Sequence, residues 1–139
     1  MIYITMATVF ETRLIGNLGK DAMVRNLEGQ VVAINFPVAH NQNWKDKRTG
    51  QSKTKTTWVN CTIWKQEGAN LKILDFLKKG TLVEILGTPV AKAYKVEDGS
   101  IRSEIRLTVI KTNILRTVTR EEFSDSDNNS LEDVFSDDL

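Results

Sequence analysis

From Val31 to Ala39 apolar residues fall at every second position, with Val32, Ile34, Phe36 and Val38 on one face. That is the period of a half-buried strand. Thr56–Lys65 repeats it: Val59, Cys61 and Ile63 share one face, and Trp58, Asn60, Thr62 and Trp64 share the other. Before these, Thr8–Gly16 is rich in β-branched and aromatic residues and runs into Gly16-Asn17-Leu18-Gly19, which predicts a first strand and a turn. A second turn at Glu28-Gly29 leads into the Val31 strand. Ala69–Lys79 places Leu71, Leu74 and Leu77 at helical spacing with Gly80 after them, which predicts a short helix. Thr81–Tyr94 returns to strand character, broken or bulged at Gly87 and Pro89. A hairpin turn at Glu97-Asp98-Gly99-Ser100 precedes a last strand, Ile101–Ile114, in which Ile105, Leu107 and Val109 alternate with Arg102, Glu104 and Arg106. Phe10, Phe36 and Phe76 lie in apolar contexts and are expected in the core.

Three strands, a helix and two strands is the order of a five-stranded oligonucleotide-binding (OB) barrel. A ferredoxin-like fold needs a helix after the first strand, and residues 17–30 lack helical periodicity. The expected class is therefore all-β with one short helix: a five-stranded OB-fold barrel with extended hairpins.

On the third strand the tryptophans occupy the polar face. That position suits packing against the helix or a second subunit; it equally suits rings displayed for stacking on bases. The preceding loop adds charge: Trp44 is followed by Lys45, Lys47, Arg48, Lys53 and Lys55, against the single acid Asp46. Aromatics at both ends of a basic ribbon fit a strand of nucleotides crossing a groove, the phosphates meeting cations and the bases meeting rings. Tyr94, which ends the fourth strand beside Lys92 and Lys95, suits ordinary hairpin packing and equally a third platform with a cation beside it.

Charge divides the chain. All 19 Lys and Arg fall in residues 1–120 with 10 Asp and Glu, giving +9, while residues 121–139 hold 8 acids and no cation, giving −8. The whole-chain value of +1 hides this. A basic domain over 1–120 calls for a polyanion, and 121–139 reads as a disordered acidic tail with a separate task. Within it Phe135 and Leu139, set beside Asp137 and Asp138, form an apolar-acidic docking motif for partner proteins.

The remaining chemistry is sparse. One cysteine, Cys61, leaves no internal disulfide and no Cys-built zinc site, and one histidine, His40, speaks against a His-based metal site or a triad. Cys61 is expected as a small buried hydrophobe, and His40 as structural or weakly phosphate-contacting. Phosphate-loop and dinucleotide-binding glycine motifs are missing, so neither a catalytic role nor a cofactor or metal is expected. Met1–Phe10 has no cation and no long apolar core, and no run of about 18 apolar residues occurs. A cytoplasmic location is expected.

Four stretches resemble the bacterial-type single-stranded DNA-binding protein family. They are Leu14-Ile15-Gly16-Asn17-Leu18-Gly19-Lys20-Asp21 with Val24-Arg25; Trp44-Lys45-Asp46-Lys47-Arg48-Thr49-Gly50; Thr57-Trp58 with Trp64; and Leu77-Lys78-Lys79-Gly80 with Val83-Glu84-Ile85-Leu86-Gly87. The resemblance spans about residues 8–115. It implies an OB fold, assembled as a homotetramer, that coats single-stranded DNA in replication, recombination and repair, with a nucleoid-associated location. It carries the stacking positions to Trp44, Trp58, Trp64 and Tyr94, and implies that the acidic tail recruits replication and repair proteins. Three departures stand out. Val59 replaces a common histidine, Pro89–Ala93 holds only one cation, Lys92, and the tail ends in Asp137-Asp138-Leu139 without the usual Ile-Pro-Phe. Met1–Thr5 has no family counterpart and reads as an added strand or as a stretch upstream of a start at Met6. Two rivals are a primosomal-type OB-fold dimer, which lacks an acidic tail, and a protein-interaction module built on the aromatic face.

Overall fold

A computed structural model describes residues 8–118. The opening residues, Met6 included, and the tail with Phe135, Asp137, Asp138 and Leu139 lie outside the described residues, as does the domain boundary at 120. The described residues form six strands: β1 (Thr12–Leu18), β2 (Met23–Leu27), β3 (Val31–Lys45), β4 (Ser52–Gln66), β5 (Leu82–Lys95) and β6 (Ile101–Arg116). They are hydrogen-bonded in the order β1-β5-β6-β4-β3-β2, and a further pairing of β1 with β3 closes the barrel. Only β4 and β6 run parallel; the other pairs are antiparallel.

The five-stranded barrel expectation holds once β1 and β2 are seen as one interrupted path along β3. Leu18 pairs with Val38, and Met23 pairs with Asn35 a little further along the same strand. β2 escapes the hydrophobic pattern because all five of its residues are exposed. At the interruption the Gly19 N–H donates to Pro37 O at 3.0 Å and the Ala22 N–H to Leu77 O at 2.9 Å, so the break is satisfied by the barrel itself. Gly16 has no substitute here: a Cβ would lie 2.2 Å from the Ala39 carbonyl oxygen, where β1 crosses onto β3.

The core comes from one face of every long strand, including Leu14, Ile34, Phe36, Val38, Val59, Cys61, Ile85 and Leu107. The alternation read for β3 and β4 is therefore the barrel interior. Cys61 is fully buried, and burial pushes its thiol up to about 12.

Several expectations need correction. The helix over Ala69–Lys79 shrinks to one 3-10 turn, Lys72–Asp75. Its C-terminal half is claimed by the barrel: Leu77 is fully buried, the Lys79 N–H donates to Asp21 Oδ1, and the Gly80 N–H to Leu18 O. The few residues left cannot support an α-helix, whose nucleation is costly. The first strand starts at Thr12, not Thr8, since its pairing with β5 ends at Thr12–Gly87, beside the bulge between Leu86 and Gly87. Phe10, ahead of that strand, is 71% exposed, and Phe76, at the end of the 3-10 turn, is 48% exposed; neither is core. In β6 only Leu107 is fully buried, while Ile105 is half-exposed because β5 and β6 leave the barrel there as a ribbon. The polar stretch around Trp44–Lys55, by contrast, forms an extended hairpin as expected. β3 and β4 stay paired from Val31–Gln66 out to Lys45–Ser52.

Candidate nucleic-acid interface

Strand β4 carries the site. Val59, Cys61 and Ile63 fill the barrel, which forces Trp58, Asn60, Thr62 and Trp64 outward. Trp58 is 41% and Trp64 51% exposed. Across the β3–β4 ladder Ala39 faces Trp58 and Ala33 faces Trp64. Trp58 also covers Gly19, where an added Cβ would lie 2.4 Å from ring atom Cζ3. Between and beyond the rings runs a row of Asn–Thr pairs on the same face. Thr62 donates to Asn35 Oδ1 at 2.7 Å, Thr56 to Asn41 Oδ1, and Thr54 to Asn43 Oδ1 at 2.8 Å. Each asparagine keeps an amide N–H₂ for an outside partner.

The register extends this face across the sheet. Asn60 lies beside Arg106 of β6, and Arg106, Glu104 and Arg102 face Val90, Lys92 and Tyr94 of β5. On the other flank Ala33 and Asn35 pair with Arg25 and Met23 of β2. Two grooves result. The first, about 320 Å³, is lined by Trp64, Asn60, Thr62 and Asn35 together with the cations Lys20, Arg25 and Arg106 and the apolar Met23 and Leu27. The second, about 630 Å³, lies between the β3–β4 and β5–β6 ribbons and is lined by Trp58, Lys55, Lys92, Glu104 and Ile105, among others. Aromatic floors with cationic walls match the chemistry of a single strand, whose bases stack while its phosphates meet the cations.

The ten residues expected to meet nucleic acid are distributed unevenly. Trp58, Trp64, Lys92 and Tyr94 share the outer face, and Tyr94 is half-exposed opposite Arg102. Lys55 reaches the second groove beside Trp58. Trp44, half-exposed, pairs with Lys53 on the reverse face of the β3–β4 ribbon, the face continuous with the core positions. Lys45 pairs with Ser52 on the tryptophan side, whereas Lys47 and Arg48 sit in the turn. Asp46 organises that turn: its Oδ1 accepts the Arg48 N–H at 2.9 Å, and its Oδ2 lies 3.3 Å from Lys53 Nζ. The Arg48 N–H and then Lys53 hold the Asp46 carboxyl below its usual range. The Lys53 charge is thus partly spent inside the protein. His40 is exposed on β3, opposite Thr57.

Lys20, Arg25 and Arg106 line the first groove and are not among those ten. Their signal is non-local: each becomes a groove residue only through pairing that unites β2, β4 and β6. Among the described residues no group of three His, Cys, Asp or Glu could hold a metal ion, and no helix is long and apolar enough to cross a membrane.

Residues 9–115 match the model of the single-strand binding protein family. The single-stranded DNA-binding protein 1 of Xylella fastidiosa is 32% identical over 98 residues, which is 70% of this chain and 70% of that protein. Among solved structures, the Plasmodium falciparum SSB in complex with ssDNA has a TM-score of 0.59 at 24% identity, covering 81% of this chain and 97% of that one. The small single-stranded DNA-binding protein of Streptomyces coelicolor has a TM-score of 0.60 at 15% identity, covering 78% and 95%. At these identities the two structures speak for a common fold.

Proposed function

Since this chain belongs to the single-strand binding protein family, we propose that its outer β2–β3–β4–β6–β5 face binds single-stranded DNA without sequence preference. The protein is a non-catalytic DNA-binding protein that protects and organises single strands in replication, recombination and repair. One observation carries the reading: Trp58 and Trp64 are displayed on the same face as Lys20, Arg25 and Lys92 while the reverse of β4 fills the core. Bases stack on the rings, and phosphates follow Lys20, Arg25 and Lys92 of the groove walls together with Lys45, Lys47, Arg48 and Lys55. Lys53 contributes less, being held by Asp46. Tyr94 extends the path at the end of the β5–β6 ribbon, and Trp44 offers a further ring around the tip of the β3–β4 ribbon, from its reverse face. The test is quenching of tryptophan fluorescence by an unstructured oligonucleotide over a salt series. Log affinity should fall linearly with log salt, and different sequences should fall together. A salt-independent interaction would point to an aromatic protein interface instead.

Assembly and recruitment belong to the same proposal. Half-exposed Ile15, Ile110 and Leu115 on β1 and β6, and a β1 that meets β3 only at Asn17 and Leu18, support a homo-oligomer, which we take as a tetramer. Sedimentation showing a monomer at micromolar concentration would remove it. The tail over 121–139, with Phe135 and Leu139 among acids, is proposed as the docking peptide for replication and repair proteins in a cytoplasmic, nucleoid-associated setting. Deleting it should leave DNA affinity equal or higher at low salt, with the difference shrinking as salt screens the charges, and should abolish partner capture. Weaker DNA binding or unchanged capture would contradict this division.

A further inference from the structure

Resting on that single-stranded DNA reading, we propose that Glu104 is a built-in stand-in for a DNA phosphate, holding Arg106 in the free protein and so setting how tightly the face grips a strand. Glu104 is the only carboxylate among the described residues that line the two grooves. It stands where they meet, lining the second while its two partners, Asn60 and Arg106, line the first. Both of its oxygens are occupied: Arg106 Nε donates to Oε1 at 2.6 Å, and Asn60 Nδ2 donates to Oε2 at 2.8 Å. The carboxylate is tucked in, with its side chain 18% exposed, whereas the arginine side chain is 45% exposed and reaches the groove beside Trp64.

A carboxylate on a polyanion-binding face works against binding unless it serves another purpose. Carboxylate and phosphate accept the same fork of N–H groups from a guanidinium. In the free protein the Glu104–Arg106 pair is neutral, so Arg106 adds nothing to the net charge that draws a strand in. If a phosphate takes Arg106, Glu104 keeps Asn60 but loses its guanidinium partner beside that phosphate, and the exchange gains little. Arg106 is therefore a latent contact, and Glu104 keeps the face from holding DNA too tightly to release it.

The test uses Glu104→Gln in the full chain, titrated with oligothymidylate over a salt series, with melting followed in parallel. Glutamine retains an oxygen for Asn60 and has no charge. Binding should tighten about threefold to tenfold at low salt, and the slope of log affinity against log salt should steepen by about 0.7, one added phosphate contact. The double variant Glu104→Gln with Arg106→Gln, neutral again at this spot, should return to wild-type affinity and slope. Unchanged or weaker binding by a folded Glu104→Gln protein would overturn the proposal. So would tighter binding at an unchanged slope, which would mean that a charge was removed without a contact being gained. If Glu104→Gln does not fold, Arg106→Gln alone decides: it should weaken binding with the slope kept, and a slope reduced by about 0.7 would show Arg106 already on phosphate and refute the latch. Failure of the wild-type chain to bind oligothymidylate at any salt would overturn the DNA reading itself, not the latch.

Discussion

Gly19→Ala tests whether the Trp58 ring is positioned or merely present. A Cβ at residue 19 would sit 2.4 Å from Cζ3 and 2.7 Å from Cη2 of Trp58. Carbon contacts are at rest near about 3.5–4.0 Å, so the ring must retreat by roughly 1 Å or turn. Nothing else at the position resists: Gly19 does not adopt a left-handed φ, and its N–H to Pro37 O survives the change. The ring lies on the solvent side of β4, opposite Val59 and Cys61, so its displacement leaves the core intact. The expected stability loss is below about 1 kcal/mol, the range of surface changes. A stacked base is worth about 1–3 kcal/mol, and a misplaced ring forfeits part of that. Affinity for oligothymidylate should therefore fall by about threefold to thirtyfold, and by less than in Trp58→Ala. Fluorescence or anisotropy titration together with a thermal melt reads both quantities. In a Trp58→Ala background Gly19→Ala should have no further effect on binding, because the two act through one ring. Loss of stability with affinity intact, or additive losses in the double variant, would refute the reasoning.

Lys55→Gln should flatten the salt slope by about 0.7, while Lys53→Gln should flatten it less because Asp46 already holds that ammonium; equal effects would mean that the Asp46 pair dissolves on binding. Trp64→Ala should cost about 1–3 kcal/mol of binding with little change in melting temperature, and parallel losses of both would identify the ring as a packing residue. Burial holds the Cys61 thiol protonated to about 12, whereas the unfolded thiol ionises near 8.5, so stability from this residue is intact below about pH 8.5 and is lost as pH rises toward 12. Against a Cys61→Ala control, denaturant melts should show that extra decline, and a pH-independent difference between the two would contradict it.

What the chain discloses by itself follows the range of the forces involved. Alternation in β3 and β4 is local and strong because one side of each strand is sealed in the barrel, so the core face and the two displayed tryptophans can both be read from spacing. The Gly87 bulge is equally local. β2 cannot be read this way: none of Met23–Leu27 is buried, and the strand exists only because β3 offers a partner. The helix failed for the converse reason. Leu71, Leu74 and Leu77 do pack on the core, but from an irregular segment whose backbone groups are taken by β1 and the β1–β2 break. Phe10 and Phe76 show that a large apolar side chain fixes no address when the strand or helix around it is absent.

The same distinction separates the two halves of the binding face. The rings and the ribbon lysines are contiguous in sequence, and charge pattern alone gathers them into a candidate site. Pairing then divides that set, turning Trp44, Lys53 and Lys55 to the reverse of the ribbon, from which Lys55 still reaches the second groove, and tying Lys53 to Asp46. It also supplies what the contiguous reading lacks. Arg25 comes to the first groove through β2 and Arg106 through the parallel β4–β6 pairing, although they are about eighty residues apart in the chain. Closing the barrel thus makes a groove with cations on both walls and an indole between them. A single strand suits that arrangement, since its bases can reach the ring while its phosphates lie along the walls.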